Sequence, residues 1–328
     1  MQAIRVHEQG GPDVLRLDEV TPPEPGPGDV LVRVHAAGIN PPDWYARSGF
    51  STIPPDLRPP IRLPFTPGSD LSGVVTAIGA GVTRWRPGDE VLGMVRFGQI
   101  GNGGGGRTYA EFTTSPADDL VRKPSHVDHA TAAGLPMAGL TAYQFLVDRI
   151  GLKPGATILV NGAAGGVGHL AVQLAQHLGA RVIAVASGRH QQFLRDLGAD
   201  QVVDYTTTDV TTAARDVDHV LDCVGGPNGH RFLAVVRNGG TINPVFFGEY
   251  HRDRAADLGI TVDGGQVHTD HDQLETLAGL LADGHLRVAL DGVYPLADAA
   301  AAHTRAERGH LQGKLVLTTT TRVPPAID

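Results

Sequence analysis

Residues 161–168 read Asn161-Gly162-Ala163-Ala164-Gly165-Gly166-Val167-Gly168, behind an apolar run at 156–160 and ahead of a helix-period pattern. A strand that turns on glycines into a helix is the device that holds a dinucleotide pyrophosphate. The glycines let the backbone approach the phosphates, and the helix start offers free N–H groups and the positive end of its dipole. Downstream, no Asp or Glu occurs between Arg149 and Arg195. A site for NAD places an acid about 20 residues after the glycines, on the ribose hydroxyls. Here that place reads Ala186-Ser187-Gly188-Arg189-His190. A hydroxyl and a guanidinium suit a 2′-phosphate, so the expected cofactor is NADPH.

Outward from that turn, strands and helices alternate. Val167, Leu170, Ala171, Leu174 and Leu178 form one apolar helix face that Gly179 closes. Strands are expected at 182–186, 201–203, 217–222 and 240–245, with helices at 191–197 and 228–237. This order implies right-handed crossovers and a parallel sheet covered on both faces, so residues 123–264 are expected to form a doubly wound Rossmann domain. The first third reads as β-rich, with strand patterns at 30–36, 71–78 and 90–95 between Pro- and Gly-rich turns. Residues 98–106 carry six glycines and read as a surface loop, either a plain connector or a lid. The Pro-rich stretch 53–64 reads as an extended rim. Helices are expected at 272–281 and 297–306 and a terminal strand at 314–318, a tail that returns to the first domain. The fold class is α/β, with domains at 1–122 plus 265–328 and at 123–264.

Bulk properties narrow the function. The 328 residues suit about two domains. A net charge of −8 argues against a nucleic-acid or anionic-membrane surface. The single cysteine, Cys223, permits neither an internal disulfide nor a cysteine-built zinc site, and it reads as an inert buried thiol. The first residues carry no apolar signal core and no apolar run approaches membrane-spanning length, so a cytoplasmic protein is expected.

Several segments carry a family likeness nearly end to end. They are Gly10-Gly11-Pro12-Asp13-Val14-Leu15, Ala37-Gly38-Ile39-Asn40-Pro41-Pro42-Asp43, Pro67-Gly68-Ser69-Asp70-Leu71-Ser72-Gly73 and Gly139-Leu140-Thr141-Ala142-Tyr143. The glycine turn itself, Leu197-Gly198-Ala199-Asp200, Asp222-Cys223-Val224-Gly225-Gly226 and Gly313-Lys314-Leu315-Val316 continue the series. With these the chain resembles the zinc-independent quinone oxidoreductase branch of the medium-chain dehydrogenase/reductases. The resemblance implies a GroES-like catalytic domain beside the Rossmann domain, a cleft between them and a homodimer. Ala163 stands where the usual fingerprint has its first glycine, a replacement that this branch tolerates. Zinc alcohol dehydrogenases of the same superfamily ligate their metal with a Cys where this chain has Asn40 and a His at or beside Ser69, so no metal is expected.

NADPH without a metal suits conjugate hydride transfer to an acceptor that is already activated, a quinone or an α,β-unsaturated carbonyl. The protein then has to orient the partners and stabilise the oxygen that gains charge. By resemblance, Asn40 would hold the nicotinamide ribose or the substrate oxygen; a turn before Pro41-Pro42 is its plain alternative. Tyr45 would donate a proton or a hydrogen bond, Trp44 would stack on a flat substrate or fill core, and Thr141 would face the nicotinamide. Asp43 reads as a helix cap. On the cofactor side, Gly165, Gly166 and Val167 would cradle the pyrophosphate through backbone N–H groups. Ser187 and Arg189 would meet the 2′-phosphate, Tyr205 the adenosine phosphate, Phe246 and Phe247 the carboxamide region, and Lys314 would point into the cleft. The expected activity is reduction of a quinone or enone by NADPH. An enoyl or polyketide reductase of a specific pathway shares that chemistry, and a non-catalytic NADPH-binding protein is the reading from another class.

Overall fold

The computed structural model describes residues 1–51, 55–95 and 107–319. The glycine-rich stretch at 98–106 and the first two residues of the Pro-rich rim lie outside the described residues.

Strands of the first third are β1 (Gln2–Val6), β2 (Leu15–Glu19), β3 (Asp29–Gly38), β4 (Asp70–Ile78), β5 (Glu90–Met94), β6 (Phe112–Pro116) and β7 (Leu120–Arg122). The middle of the chain supplies β8 (Thr157–Asn161), β9 (Arg181–Ala186), β10 (Gln201–Asp204), β11 (Val217–Asp222), β12 (Val236–Pro244) and β13 (Thr261–Val262). The tail adds β14 (Leu290–Pro295) and β15 (Lys314–Thr318). The helices are α1 (Pro41–Arg47), α2 (His129–Ala133), α3 (Pro136–Tyr143), α4 (Gly168–His177), α5 (Gln191–Asp196), α6 (Val210–Ala213), α7 (Arg252–Asp257), α8 (His271–Ala282) and α9 (Ala299–Glu307).

The middle strands form a parallel sheet in the order β10-β9-β8-β11-β12-β13. Counted from β8, that is the doubly wound order 3-2-1-4-5-6, whose direction reverses between β8 and β11. Ligands bind at such a reversal, outside the carboxyl ends of the strands, and the glycine turn leaves β8 at that point. The tail strands join the sheet of the first third, in the order β14-β15-β3-β4-β5-β7 with β6 also paired to β3. β15 lies antiparallel to the end of β3, opposite Ala36, Ala37 and Gly38. That register brings Lys314, the first residue of β15, beside the turn into α1.

Two expectations change. The stretch 228–237 is not an α-helix: Gly229–Ala234 is a short 3-10 stretch, and β12 already begins at Val236, opposite Val217 of β11. Pairing with an existing sheet overrides a run whose apolar residues have no clean helical period. β1, β2, β6, β7, β13 and β14 also form without having been expected. Leu274, Leu277, Ala278 and Leu281 of α8 lie in one apolar cluster with residues of α3 and α4 and with Leu92, Met94 and Val121 of the first sheet. As a strand, the chain rejoins the first sheet at β14.

Candidate functional site

A buried polar network starts where β3 ends. Pro41 and Pro42 occupy the first helical positions of α1, where a missing N–H costs nothing. Asp43, one position on, turns its carboxylate back to accept the Asn40 backbone N–H at 2.8 Å, so its capping role is present. The Asn40 side chain lies between two charges. Its Nδ2 donates to Asp70 Oδ2 at 2.9 Å, and its Oδ1 accepts from Lys314 Nζ. Lys314 also donates to the Ile39 carbonyl at 2.9 Å, and Asp70 Oδ1 accepts the Met137 N–H at 3.0 Å. Asn40, Asp43, Asp70 and Lys314 are all buried. Asn40 is therefore not a free amide in the cleft: one lone pair of Oδ1 is what it has left.

A second branch runs outward from Asp43. Its Oδ1 accepts from Ser69 Oγ at 3.0 Å and its Oδ2 from the Tyr109 hydroxyl at 3.2 Å. Tyr109 meets His303 Nε2 at 3.1 Å, and His303 Nδ1 lies 3.0 Å from Arg47 Nη1. A guanidinium only donates, so Nδ1 accepts, Nε2 carries the proton, and the run Arg47–His303–Tyr109–Asp43 donates in one direction, toward Asp43. Arg47 itself is paired with Glu307 and the Gly10 carbonyl.

Burial dominates the protonation of these groups. It pushes Asp43 up to about 6 against the hydrogen bonds of Asn40, Ser69 and Tyr109 and the Lys314 charge. It pushes Asp70 up to about 7 against Lys314, Asn40 and the Met137 N–H. Burial lowers Lys314, while Asp70 and Asp43 pull it back up. His303 falls to about 3 through burial and the Arg47 charge, so it is neutral, as its hydrogen bonds require.

An aromatic cluster lies at α1 and the loop after β12. The Tyr45 ring stacks on Phe246 with centroids 5.0 Å apart, joining α1 to the loop that follows β12. Trp44 meets Tyr45 edge-on, and Phe247 meets Phe246 in the same way. Phe247 is 65% exposed, a large apolar side chain with no core role. Burial pushes the Tyr45 hydroxyl up to about 12, so it keeps its proton at neutral pH and serves better as a hydrogen-bond donor than as an acid. Thr141 is buried, and its hydroxyl donates to the Met137 carbonyl at 2.7 Å. Its proton is thus spent within its own helix, and the hydroxyl oxygen keeps its capacity to accept.

At the glycine turn the expectations divide. The backbone N–H groups of Gly166 and Val167 have no partner among the described residues, and no side chain caps α4. The Gly165 N–H, by contrast, donates to the Gly162 carbonyl at 3.0 Å. Gly165 thus supplies room rather than a donor: a Cβ there would meet only the Gly162 oxygen, at 3.4 Å. A turn with free donors and an open face fits a pyrophosphate. Beneath it lies His169, which the sequence reading missed. Its Nδ1 donates to the Gly165 carbonyl at 2.9 Å, its Nε2 accepts the Ala289 N–H at 3.2 Å, and burial lowers it to about 4. From the tail, the Gly313 N–H donates to the Ala164 carbonyl at 2.8 Å.

Ser187, Arg189 and Tyr205 gather at the ends of β9 and β10, around a loop of the tail. Arg189 donates to the His310 carbonyl and to His190 Nε2, and the Tyr205 hydroxyl lies 3.2 Å from His310 Nδ1. The acid-free window has a gap in space that the sequence hides. Asp204 at the end of β10 lies so near Gly188 that a Cβ there would overlap its Oδ2. Its Oδ1 is occupied by the Thr206 N–H and hydroxyl.

Two family descriptions match: "Alcohol dehydrogenase GroES-like domain" over residues 26–125 and "Zinc-binding dehydrogenase" over residues 197–317. The chloroplast envelope quinone oxidoreductase homolog of Arabidopsis thaliana is 32% identical over 335 residues, covering 97% of this chain and 98% of that relative. The chloroplastic NADPH-dependent alkenal/one oxidoreductase of the same plant is 33% identical over 326 residues, covering 97% and 79%. The crystal structure of Escherichia coli quinone oxidoreductase complexed with NADPH superposes with a TM-score of 0.84 at 28% identity, over 97% of this chain and 100% of that one. One description names zinc, but the residues here do not fit it. Asn40 Oδ1 is held by an ammonium and the Ser69 hydroxyl by Asp43, and no group of three or more His, Cys, Asp or Glu among the described residues is placed to hold a metal. Matched along nearly its whole length, and folded as its relatives are, the chain belongs to the medium-chain dehydrogenase/reductase superfamily, in its quinone oxidoreductase branch.

Proposed function

We propose that this protein is an NADPH-dependent reductase that passes hydride to a quinone or an α,β-unsaturated carbonyl, without zinc. The observation that carries the reading is the exposed aromatic cluster after β12 of the parallel sheet, where Phe246 stacks on Tyr45 and Phe247 stands 65% exposed beside it. Flat aromatic faces suit a flat acceptor. NADPH, when bound, supplies the hydride. The chain's own residues do the rest. Gly166 and Val167 offer N–H donors to the pyrophosphate, in the space left by Gly165. Ser187, Arg189 and Tyr205 receive the 2′-phosphate, and Lys314 sets positive charge at the cleft floor. Tyr45 hydrogen-bonds the oxygen that gains charge, and Phe246 and Phe247 shape the slot for the acceptor beside the carboxamide. The remaining lone pair of Asn40 is its one direct contribution, and Thr141 adds packing and an acceptor.

The test is NADPH consumption by chelator-dialysed protein with small quinones, enals, enones and acyl thioesters. Turnover is expected with the quinones and enones. Binding of NADPH without turnover of any class removes the reductase reading. Activity lost on chelation and restored by zinc removes the metal-free part.

This reading includes a homodimer in the cytoplasm. Sedimentation of the purified chain as a monomer removes the dimer. No helix among the described residues is long and apolar enough to cross a membrane. We place the nucleotide-binding unit at residues 123–264 and the catalytic unit at 1–122 and 265–328, because the parallel sheet ends at β13 and both later strands, β14 and β15, join the first sheet.

A further inference from the structure

We propose that Asp70 is a positioning residue: it fixes the Asn40 amide and, through it, the Lys314 ammonium against the glycine turn. The proposal rests on the NADPH reading above. A primary amide can offer a neighbour either its oxygen or its nitrogen, and a half-turn of its last bond exchanges the two. Here one setting works. Lys314 has donors and no acceptor, so it needs the Asn40 oxygen. The Asp70 carboxylate takes the Asn40 Nδ2 proton at 2.9 Å and so selects that setting. The other Nδ2 proton faces the Gly38 carbonyl at a long 3.5 Å. With the carboxylate gone, the NH₂ group loses its strong partner, and the flipped amide turns a donor onto the ammonium.

Asp70 cannot drift, because it is fully buried and its Oδ1 is held by the Met137 N–H at the start of α3. Nor does it hydrogen-bond Lys314 directly: Oδ2 and Nζ are 4.0 Å apart, so Asn40 is the link. Asp43 is the other carboxylate whose charge reaches Asp70. On the far side, the Lys314 backbone N–H donates to the Ala289 carbonyl at 2.8 Å. Its stem passes so near the glycine turn that a Cβ on Gly166 would lie 3.0 Å from Lys314 Cδ. Asp70, Asn40, Lys314 and Gly166 therefore form one run of contacts from β4 to the donors meant for the pyrophosphate. A cation placed there supports two phosphate charges in a site from which water is largely excluded, where its field is strong.

The test is a double-mutant cycle on NADPH affinity with Asp70→Asn and Lys314→Met in the full chain. Each single variant is expected to weaken NADPH binding about tenfold, with the loss on KM for NADPH rather than on kcat, and the double variant to bind no more weakly than Lys314→Met alone. A purely structural role gives independent, additive losses of about a hundredfold in the double variant, which overturns the proposal. Unchanged binding by Asp70→Asn overturns it as well. Should Asp70→Asn fail to fold, Asn40→Ala cuts the same link while keeping both charges; wild-type affinity in that folded variant overturns the proposal. If the unaltered protein does not bind NADPH, the functional reading falls and this proposal with it. If it binds and the variants bind equally well, this proposal falls alone.

Discussion

Arg189 is exposed, yet its guanidinium is already aligned, with one edge on the His310 carbonyl and Nε on His190. His190 in turn is set by Gln312, 3.0 Å from its Nδ1. An arginine arranged in this way loses little freedom when a phosphate arrives. Arg189→Ala is expected to raise the dissociation constant for NADPH about tenfold and to leave that for NADH nearly unchanged, as titration of each nucleotide would measure. Equal losses remove the 2′-phosphate role. Residues of this kind were legible because they follow a local pattern, a fixed distance after glycines that follow a strand. Asp70, Tyr109, His303 and Arg47 were not. They come from β4, the segment before β6, α9 and α1, and nothing in the local spacing of any one of them marks a shared network. Asp204 shows the same limit from the other side. An acid absent from the window between 149 and 195 is returned to it by the neighbouring strand.

At the scale of elements, the glycine turn and α4 behave as one unit. Gly168 sits where a Cβ would overlap the Gly162 carbonyl oxygen and come within 2.7 Å of Ala163 Cα, and both are backbone with nowhere to go. Gly165 has only an ordinary contact at 3.4 Å. Gly168→Ala is therefore expected to cost about 1–3 kcal/mol of stability by overpacking, read as a lower urea midpoint. Gly165→Ala should keep the midpoint and lose NADPH affinity. Midpoints lowered alike would erase the distinction between a packing glycine and a ligand-facing one. Strands and helices with a clean period, such as β3, β4, α4 and α8, stood in the sequence almost at their final bounds. β14 did not, because all its residues are half-buried at a sheet edge and show no alternation. The stretch around 228–237 failed because β11 recruits Val236 into the sheet.

For the whole molecule, the returning tail was legible in outline, since the alternation of strands and helices stops before it. Lys314 was expected in the cleft by resemblance alone; its partners on the first domain were not legible, because register is a property of two strands. The tail holds the glycine turn at the Ala164 carbonyl, steadies His169 through Ala289 and meets Arg189 and Tyr205 with His310. The cofactor cradle is thus built by the middle of the chain and braced by its end. Lys314, the cleft's cation, opens the last strand. As the chain leaves the ribosome, Asn40, Asp70 and the glycine turn all precede it. A nascent chain halted between residues 70 and 314 holds the two carboxylates, Asp43 and Asp70, without the Lys314 ammonium that answers them. The site therefore gains its buried cation only once the strand that begins at Lys314 has been made.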